Sequence, residues 1–545
     1  MLIDINYNYA RILMKTPKTQ IIKGTEYVYI DEPFWNAEKK RGEHRRKYIG
    51  KNVDGVFVPN REYQLEQELK RRNEEAKSGP KPTELCVRKF YGATYLLDEI
   101  SKELGVYDDL LAIFGTAGKE ILSLAYYLIL EEGQAVYRFT KWGQTHKHPC
   151  DHEISSQRSS RLFASITENA KMDFLKRQAK RHKSTEYLAF DTTSISSYST
   201  LIKQAKYGKN KEGDCLPQLN LALLYGQKEM LPVYYRKLPG NITDIMIIAN
   251  LAKDIDYLTH DKLKFVFDRG FQSEKNINTL MKYHHKFLCG IKLSLKLVSA
   301  RLNQIRSDFV THANYNSKIG LYVQSFTEEW NYTEEKPRSG ETISGKRRVY
   351  LHIYYNDQKA TDEKLRFNKQ LDEMATNILN GTIDSEEKKT YLKYFDIHET
   401  PVRGISYTFK EDAIRKKEKN YGYFALLSND IKDPVEALRV YRNKDLVEKS
   451  FNNLKDRMAM RRMSVSSEEN FEGKLFVQFV ALELLSYIKK KMDENNLFKN
   501  YTMQSLLDEL DIIEYYQQPG KAHYLSEITS KQRNLYKLLG VDGPT

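Results

Sequence analysis

At 545 residues the chain is too long for one ordinary domain, and its 40% hydrophobic content is enough for real cores. Lys and Arg exceed Asp and Glu by 14, a balance that suits a polyanionic partner. With 29% of residues charged and the longest apolar run, 121–130, too short to span a bilayer, a membrane-spanning protein is excluded.

The first residues carry an acid at position 4 and no apolar run, so no secretory signal is expected. Cys86, Cys150, Cys215 and Cys289 lack paired spacing, which argues for a reducing cytoplasm rather than a disulfide framework. Residues 27–30 and 56–58 read as short strands. Between them Lys39, Lys40, Arg41, Arg45, Arg46 and Lys47 lie near Trp35, as a phosphate-contacting or simply solvated basic loop. A charged helix is expected over 64–77, and the breaker cluster SGPKP at 78–82 marks a first boundary. From 83 to about 183 the pattern is helical: a pair over 100–114, a buried helix over 121–130, and a basic helical region over 155–179. Within 83–183, THKHPCDH alternates His146, His148, Cys150 and His152. These are metal-capable side chains, but the spacing is not that of a zinc finger.

At 187 the texture changes. YLAFDTTSIS, QLNLALLYG (218–226), LPVYYRKL (231–238), LKFVFDRGF (263–271) and KFLCGIKL (286–293) read as five strands. A helix over 245–258, capped by Thr243 or Asp244, precedes the fourth strand, and one starting at Ser273 and Glu274 precedes the fifth. Residues 294–430 interrupt the series with strands at 349–357 and 421–430 and helices at 363–379 and 386–394. An amphipathic helix is expected over 468–492, and a helical, polar tail follows 500.

YRNKDLVEKSFNNLK (441–455) reads as one helix. At about 100° per residue, Tyr441 and Lys455 fall within roughly 20° of Glu448, and Lys444 within roughly 40°. Alone, that stripe could be a solvated charged face. Asp191 and Asp268, however, each close an apolar strand run, where an ionised carboxylate needs solvent, a partner or a cation. Either could be only a turn or cap acid. Together with Glu448 they form an all-oxygen set suited to a hard divalent cation. Lys444 and Lys455 would then hold DNA phosphates beside it.

FDTTS, PGN-x2-D, FDRGF and the 441–455 run, in this order, resemble bacterial insertion-sequence transposases of the DDE class, and more narrowly the subgroup with a Tyr-Arg-Glu-Lys signature. The resemblance covers roughly 90–540. It implies an α/β fold: an RNase H-like mixed sheet with flanking helices, interrupted by an insertion domain, and preceded by a helical region and a small N-terminal β-containing region. The 180-residue interval between Asp268 and Glu448 accommodates that insertion. The implied domains are a basic N-terminal region (1–82), a DNA-binding helical domain (83–183), the core in two parts (184–293 and 431–495) around the insertion (294–430), and a C-terminal helical tail (496–545).

The resemblance further implies Asp191, Asp268 and Glu448 as catalytic metal ligands for two Mg²⁺ ions, with Mn²⁺ as substitute. Tyr441, Lys444 and Lys455 would position DNA. The partners implied are double-stranded DNA, at element ends and target, and a second copy in a synaptic homodimer, in the bacterial cytoplasm at the nucleoid. Lys444 stands where the signature has arginine; it keeps the charge and loses the bidentate fork. Thr192 and Arg269 suit strand-end capping and solvent contact better than support of the ligands, and Trp330 suits a surface or core position better than base stacking. An RNase H-like nuclease without strand transfer, and a non-catalytic DNA-binding domesticated transposase, remain the competing readings.

Overall fold

The computed structural model describes residues 17–36, 41–53, 55–75, 86–181, 186–208, 213, 215–242, 247, 248, 251, 254, 262–335, 342–383, 387–400, 404–458, 460, 461, 465 and 467–545. The SGPKP boundary, Lys39, Lys40, both proposed caps at 243 and 244, and most of the expected 245–258 helix lie outside them. The side chain of Trp35 is likewise not described. The chain forms two compact units, residues 1–87 with 518–522, and 88–517 with 523–545.

The larger unit is built on a nine-stranded mixed sheet. Its strands, numbered in chain order, are β1 (Tyr187–Ser196), β2 (Gln218–Gly226), β3 (Pro232–Pro239), β4 (Lys264–Phe267), β5 (Lys286–Ile291), β6 (Tyr315–Asn316), β7 (Leu321–Glu335), β8 (Thr342–Tyr355) and β9 (Tyr423–Ser428). Their order across the sheet is β6-β7-β8-β9-β5-β4-β1-β2-β3. The continuous apolar runs occupy central positions, where both faces are covered: every residue of β2 is buried. A three-residue turn after β2 forces antiparallel pairing with β3, whereas β1, β4 and β5 run parallel because a longer connection returns each strand. All five expected strands are present. Ser273 caps helix Glu274–Lys282 as its sequence suggests, accepting from the Asn276 amide at 3.1 Å.

Residues 294–430 do two things. Four of their strands, β6 to β9, extend the same sheet through the antiparallel β5–β9 pair. The stretch between β8 and β9 packs a small second core: Phe367, Leu371, Met374 and Ile378 line one face of helix Asp357–Asn380 and meet the hairpin Phe395–Thr400/Gly404–Phe409.

The helices between 92 and 181 share one apolar core with the sheet. The expected basic helix over 155–179 is two helices, Ser156–Ser165 and Glu168–Arg181; Thr167 caps the second, accepting from the Ala170 amide. Helix Glu468–Glu494 is not amphipathic but buried nearly all round between 471 and 488. It packs on helices Thr116–Leu130 and Ser156–Ser165 and on β3, so no stripe faces solvent along most of its length.

In the smaller unit, strands Lys18–Ile22, Thr25–Asn36, Arg41–Val53 and Val56–Pro59 form an antiparallel sheet followed by helix Arg61–Glu75. The described part of the basic cluster is therefore strand, not loop. Arg46 sits opposite Asp31 in the pairing register, and Lys47 pairs with Glu66 of the following helix at 2.7 Å, so the cluster's charge is partly met within this unit. Among the described residues no helix is long and apolar enough to cross a membrane, and all four cysteines are free thiols.

Candidate active site

β1 and β4 run parallel with Phe190 opposite Phe267. Asp191 and Asp268 are the next residue on each, so they stand side by side, about one strand spacing of ~4.8 Å apart. Asp268 keeps an extended backbone as β4 ends, and the pleat directs both side chains to one face. Asp191 accepts from its neighbour's amide, Thr192 N–H, at 2.7 Å. Asp268 is half exposed.

The run 441–455 is not one helix. Helix Pro434–Arg442 ends at Asn443, helix Asp445–Asn452 restarts after Lys444, and residues Asn453–Arg457 widen into a π-turn. At the break the Lys444 amide reaches back to the Tyr441 carbonyl, a three-residue closure that tightens the turn. Two side chains around the break meet Asp268. Tyr441 Oη donates to Asp268 Oδ1 at 2.6 Å. Lys444 Nζ lies 3.4 Å from Asp268 Oδ1 and 3.4 Å from Glu448 Oε1, with Asp445 Oδ1 at 3.6 Å. Two acids 180 residues apart thus share one ammonium.

The electrostatics follow from that placement. Lys444 is only 15% exposed, against 47% for Asp268 and 55% for Glu448. Burial alone would lower its pKa, but Asp268, Glu448 and Asp445 outweigh it and raise the value, so the ammonium stays charged. The Tyr441 hydroxyl is held far above the usual phenol range, by burial first and by Asp268 second, and therefore remains a donor. Asp191 stands beside this group. Among the described residues no set of three or more His, Cys, Asp and Glu side chains is gathered tightly enough to hold a single metal ion.

One residue essential to this geometry is absent from the motif reading. Gly290 of β5 lies directly under Tyr441: a Cβ there would stand 2.7 Å from Tyr441 Oη and 3.1 Å from the Arg269 amide nitrogen. A lone glycine inside an apolar strand signals such an approach. Gly290→Ala is expected to displace the Tyr441 hydroxyl and destabilise the fold by about 1–3 kcal/mol. Tyr441→Phe removes the clashing oxygen, so the double variant should recover part of the loss in thermal unfolding. Strict additivity of the two substitutions would sink the contact.

The remaining side chains named from sequence divide. Lys455 lies in the π-turn and is 7% exposed. Thr192 is buried and Arg269 exposed. Trp330 is a core residue, its indole N–H donating to Asn278 Oδ1 at 2.8 Å. The histidines of THKHPCDH diverge. His146 stacks on Trp142 and bonds Asp511 at 3.0 Å. His148 contacts Ser123 Oγ at 3.1 Å, and burial pushes its imidazole down to about 4. His152 meets Glu120 at 3.3 Å. This is a hydrogen-bonded joint between helices, with each ring facing a different partner.

A sequence-family model described as "Transposase DDE domain" matches residues 182–484, more than half of the chain, and spans Asp191, Asp268 and the 441–455 run. No curated protein matches the chain. Among solved structures, the cryo-EM structure of a piggyBac transposase synaptic complex with hairpin DNA aligns at 7% sequence identity over 77% of this chain and 77% of that one, with a TM-score of 0.34. By the family match, which encloses Asp191, Asp268 and the broken helix that meets Asp268, the chain belongs to the transposase DDE domain family.

Proposed function

We propose that the protein is the transposase of a bacterial insertion sequence, of the Tyr-Arg-Glu-Lys subgroup. It would bind terminal inverted repeats, cut DNA at the element's ends and join the 3′-hydroxyl to target DNA. The observation that carries this reading is the convergence of Asp268 and Glu448 on one cation, 3.4 Å from each, beside Asp191 on the neighbouring strand. The mixed order β5-β4-β1-β2-β3 supports an RNase H-like core, with 294–430 as its insertion and 431–495 as its last part. The basic 1–82 region and the 83–183 helices are the proposed DNA-binding parts, and 496–545 the tail.

The donor chemistry suits a hard divalent cation: three carboxylates, two of them bracketing an ammonium, and the three must draw closer than they stand here to share one ion. Asp191, Asp268 and Glu448 would hold Mg²⁺ or Mn²⁺, which supplies activation of the attacking oxygen and charge stabilisation at the leaving one. The chain's own groups do the rest. Tyr441 fixes the Asp268 carboxylate through its hydroxyl. Lys444 keeps Asp268 and Glu448 together and is the nearest cation for a phosphodiester arriving between them. Lys455, in the π-turn that follows this helix, completes the proposed DNA-positioning set. Two copies would pair the two ends in a cytoplasmic, nucleoid-bound complex.

The test is strand transfer with duplexes carrying pre-cleaved inverted-repeat ends taken from the gene's flanks, in Mg²⁺ or Mn²⁺. Joined products are expected. Cleavage without joining would leave a nuclease, and binding without either would leave a non-catalytic DNA-binding protein.

A further inference from the structure

The strands that deliver the carboxylates begin at the opposite edge of the sheet, where Lys264 of β4 stands in register with Lys286 of β5. That edge opens into a cavity of about 290 Å³ whose lining includes Lys262, His284, Lys286, Arg347 and Arg348. Among the described residues that line it there is no carboxylate. Two acids stand close by and both are engaged: Asp430, 3.7 Å from Lys286, is met by Lys264 at 3.1 Å and by the Tyr187 hydroxyl at 2.7 Å, and Glu329, opposite Arg348 in the β7–β8 register, is paired with Lys346 at 2.6 Å.

The two arginines are held in place rather than neutralised. β8 pairs with β9 only from Tyr350 onward, so residues 342–349 form a two-stranded arm with β7. The arm is pinned to helix Glu274–Lys282 by Asn278, which accepts from Trp330 Nε1 at 2.8 Å and donates to Thr333 Oγ1 at 3.0 Å. On it the Arg347 guanidinium lies 5.1 Å from the Tyr332 ring centroid and that of Arg348 lies 5.8 Å from the Tyr350 ring. Among the described residues neither forms an ion pair, and both are exposed. Stacking orients a guanidinium while leaving its N–H fork open to an anion. Consecutive strand residues face opposite sides, so the two forks address different anions. A concave, single-sign surface also focuses the field that draws a polyanion in.

We propose that this edge is a second docking site for duplex DNA, gripping the phosphate backbone without base contacts. The proposal rests on the transposase reading and adds to it a location. Four residues of β4 at about 3.3 Å each separate Lys264 from Asp268, roughly 13 Å. The phosphates held here are therefore not the one being cut, and the grip belongs to a neighbouring segment of DNA.

The test uses the full chain, an Arg347→Ala/Arg348→Ala variant and a fluorescein-labelled duplex of arbitrary sequence. Binding is read by anisotropy between about 50 and 200 mM NaCl. Loss of two phosphate contacts is expected to weaken binding and to reduce the log K against log salt slope by about 1.8. The Arg347→Lys/Arg348→Lys variant, which keeps the charge, should restore most of the slope, which a folding defect in the alanine variant would not explain. An unchanged slope in the alanine variant overturns the site. So does saturation of the site by inorganic phosphate at constant ionic strength without displacement of the duplex, which would make it a small-anion pocket. Cleavage is measured on the same preparations. An unchanged slope with cleavage intact removes this site alone; a reduced slope with no cleavage by the unaltered chain removes the transposase reading alone.

Discussion

Asp268→Asn is expected to lower DNA cleavage by about a hundred- to a thousandfold, the scale on which removal of one preorganised charged or polar group acts in a site that stabilises developing charge. The substitution is nearly isosteric, and Asn keeps an oxygen that can accept the Tyr441 hydroxyl bond seen at 2.6 Å. It removes the negative charge that faces Lys444 at 3.4 Å and that would face a divalent cation. Because Asp268 is half exposed at the end of β4, the fold should tolerate the change, and the thermal midpoint should move little. The decisive measurement is single-turnover cleavage of an end duplex, with binding followed in parallel. Affinity within a few-fold of the unaltered chain and cleavage reduced about a hundred- to a thousandfold would place the defect in the chemistry. Cleavage within tenfold of the unaltered chain would remove Asp268 from the reaction.

Much of this site is legible in the sequence because it is built from local signals. The runs YLAF and FVF are continuous apolar stretches of the kind interior strands use, so an ionised aspartate following each needs solvent, a partner or a cation. Parallel pairing of β1 with β4 then puts the two acids side by side, a step that needs the topology and not only the pattern. The 441–455 run shows the limit. Its seven-residue spacing suggests a continuous stripe, yet the chain breaks at Asn443 and Lys444, with Tyr441 and Lys444 both meeting Asp268, and widens again at 453–457, where Lys455 is buried. Gly290 is invisible to a motif search, because what it does is leave room for a side chain 151 residues later. Helix Glu468–Glu494 misleads in the other direction: its charged residues suggest a wet face, but helices on one side and β3 on the other cover it.

That covered helix carries the largest expected stability effect. Glu483 is fully buried, and its Oε2 has no hydrogen-bond partner among the described residues. Burial, and secondarily the charge of Asp109, push its carboxyl up to about 8. Asp109 is itself buried and held by Arg181 at 2.8 and 3.0 Å and by Gln178 at 3.0 Å, so it cannot move away. The folded chain therefore keeps Glu483 protonated in a pH range where the unfolded chain has lost that proton. Its contribution to stability is fully present below the ordinary glutamate pKa and declines as pH rises toward 8, by about 1.4 kcal/mol per pH unit within the window. Glu483→Gln removes the titration. Its stability advantage over the unaltered chain should be smallest near pH 5 and grow to several kcal/mol, on the order of 4, by pH 8. Lys474, on the same helix, is pushed down to about 8 by burial, so its own pH-dependent change falls mainly above that value and leaves the window clear. Thermal unfolding of both proteins at pH 5 and pH 8 decides the matter. A difference in midpoint that is the same at both pH values would show that Glu483 is already ionised in the folded chain.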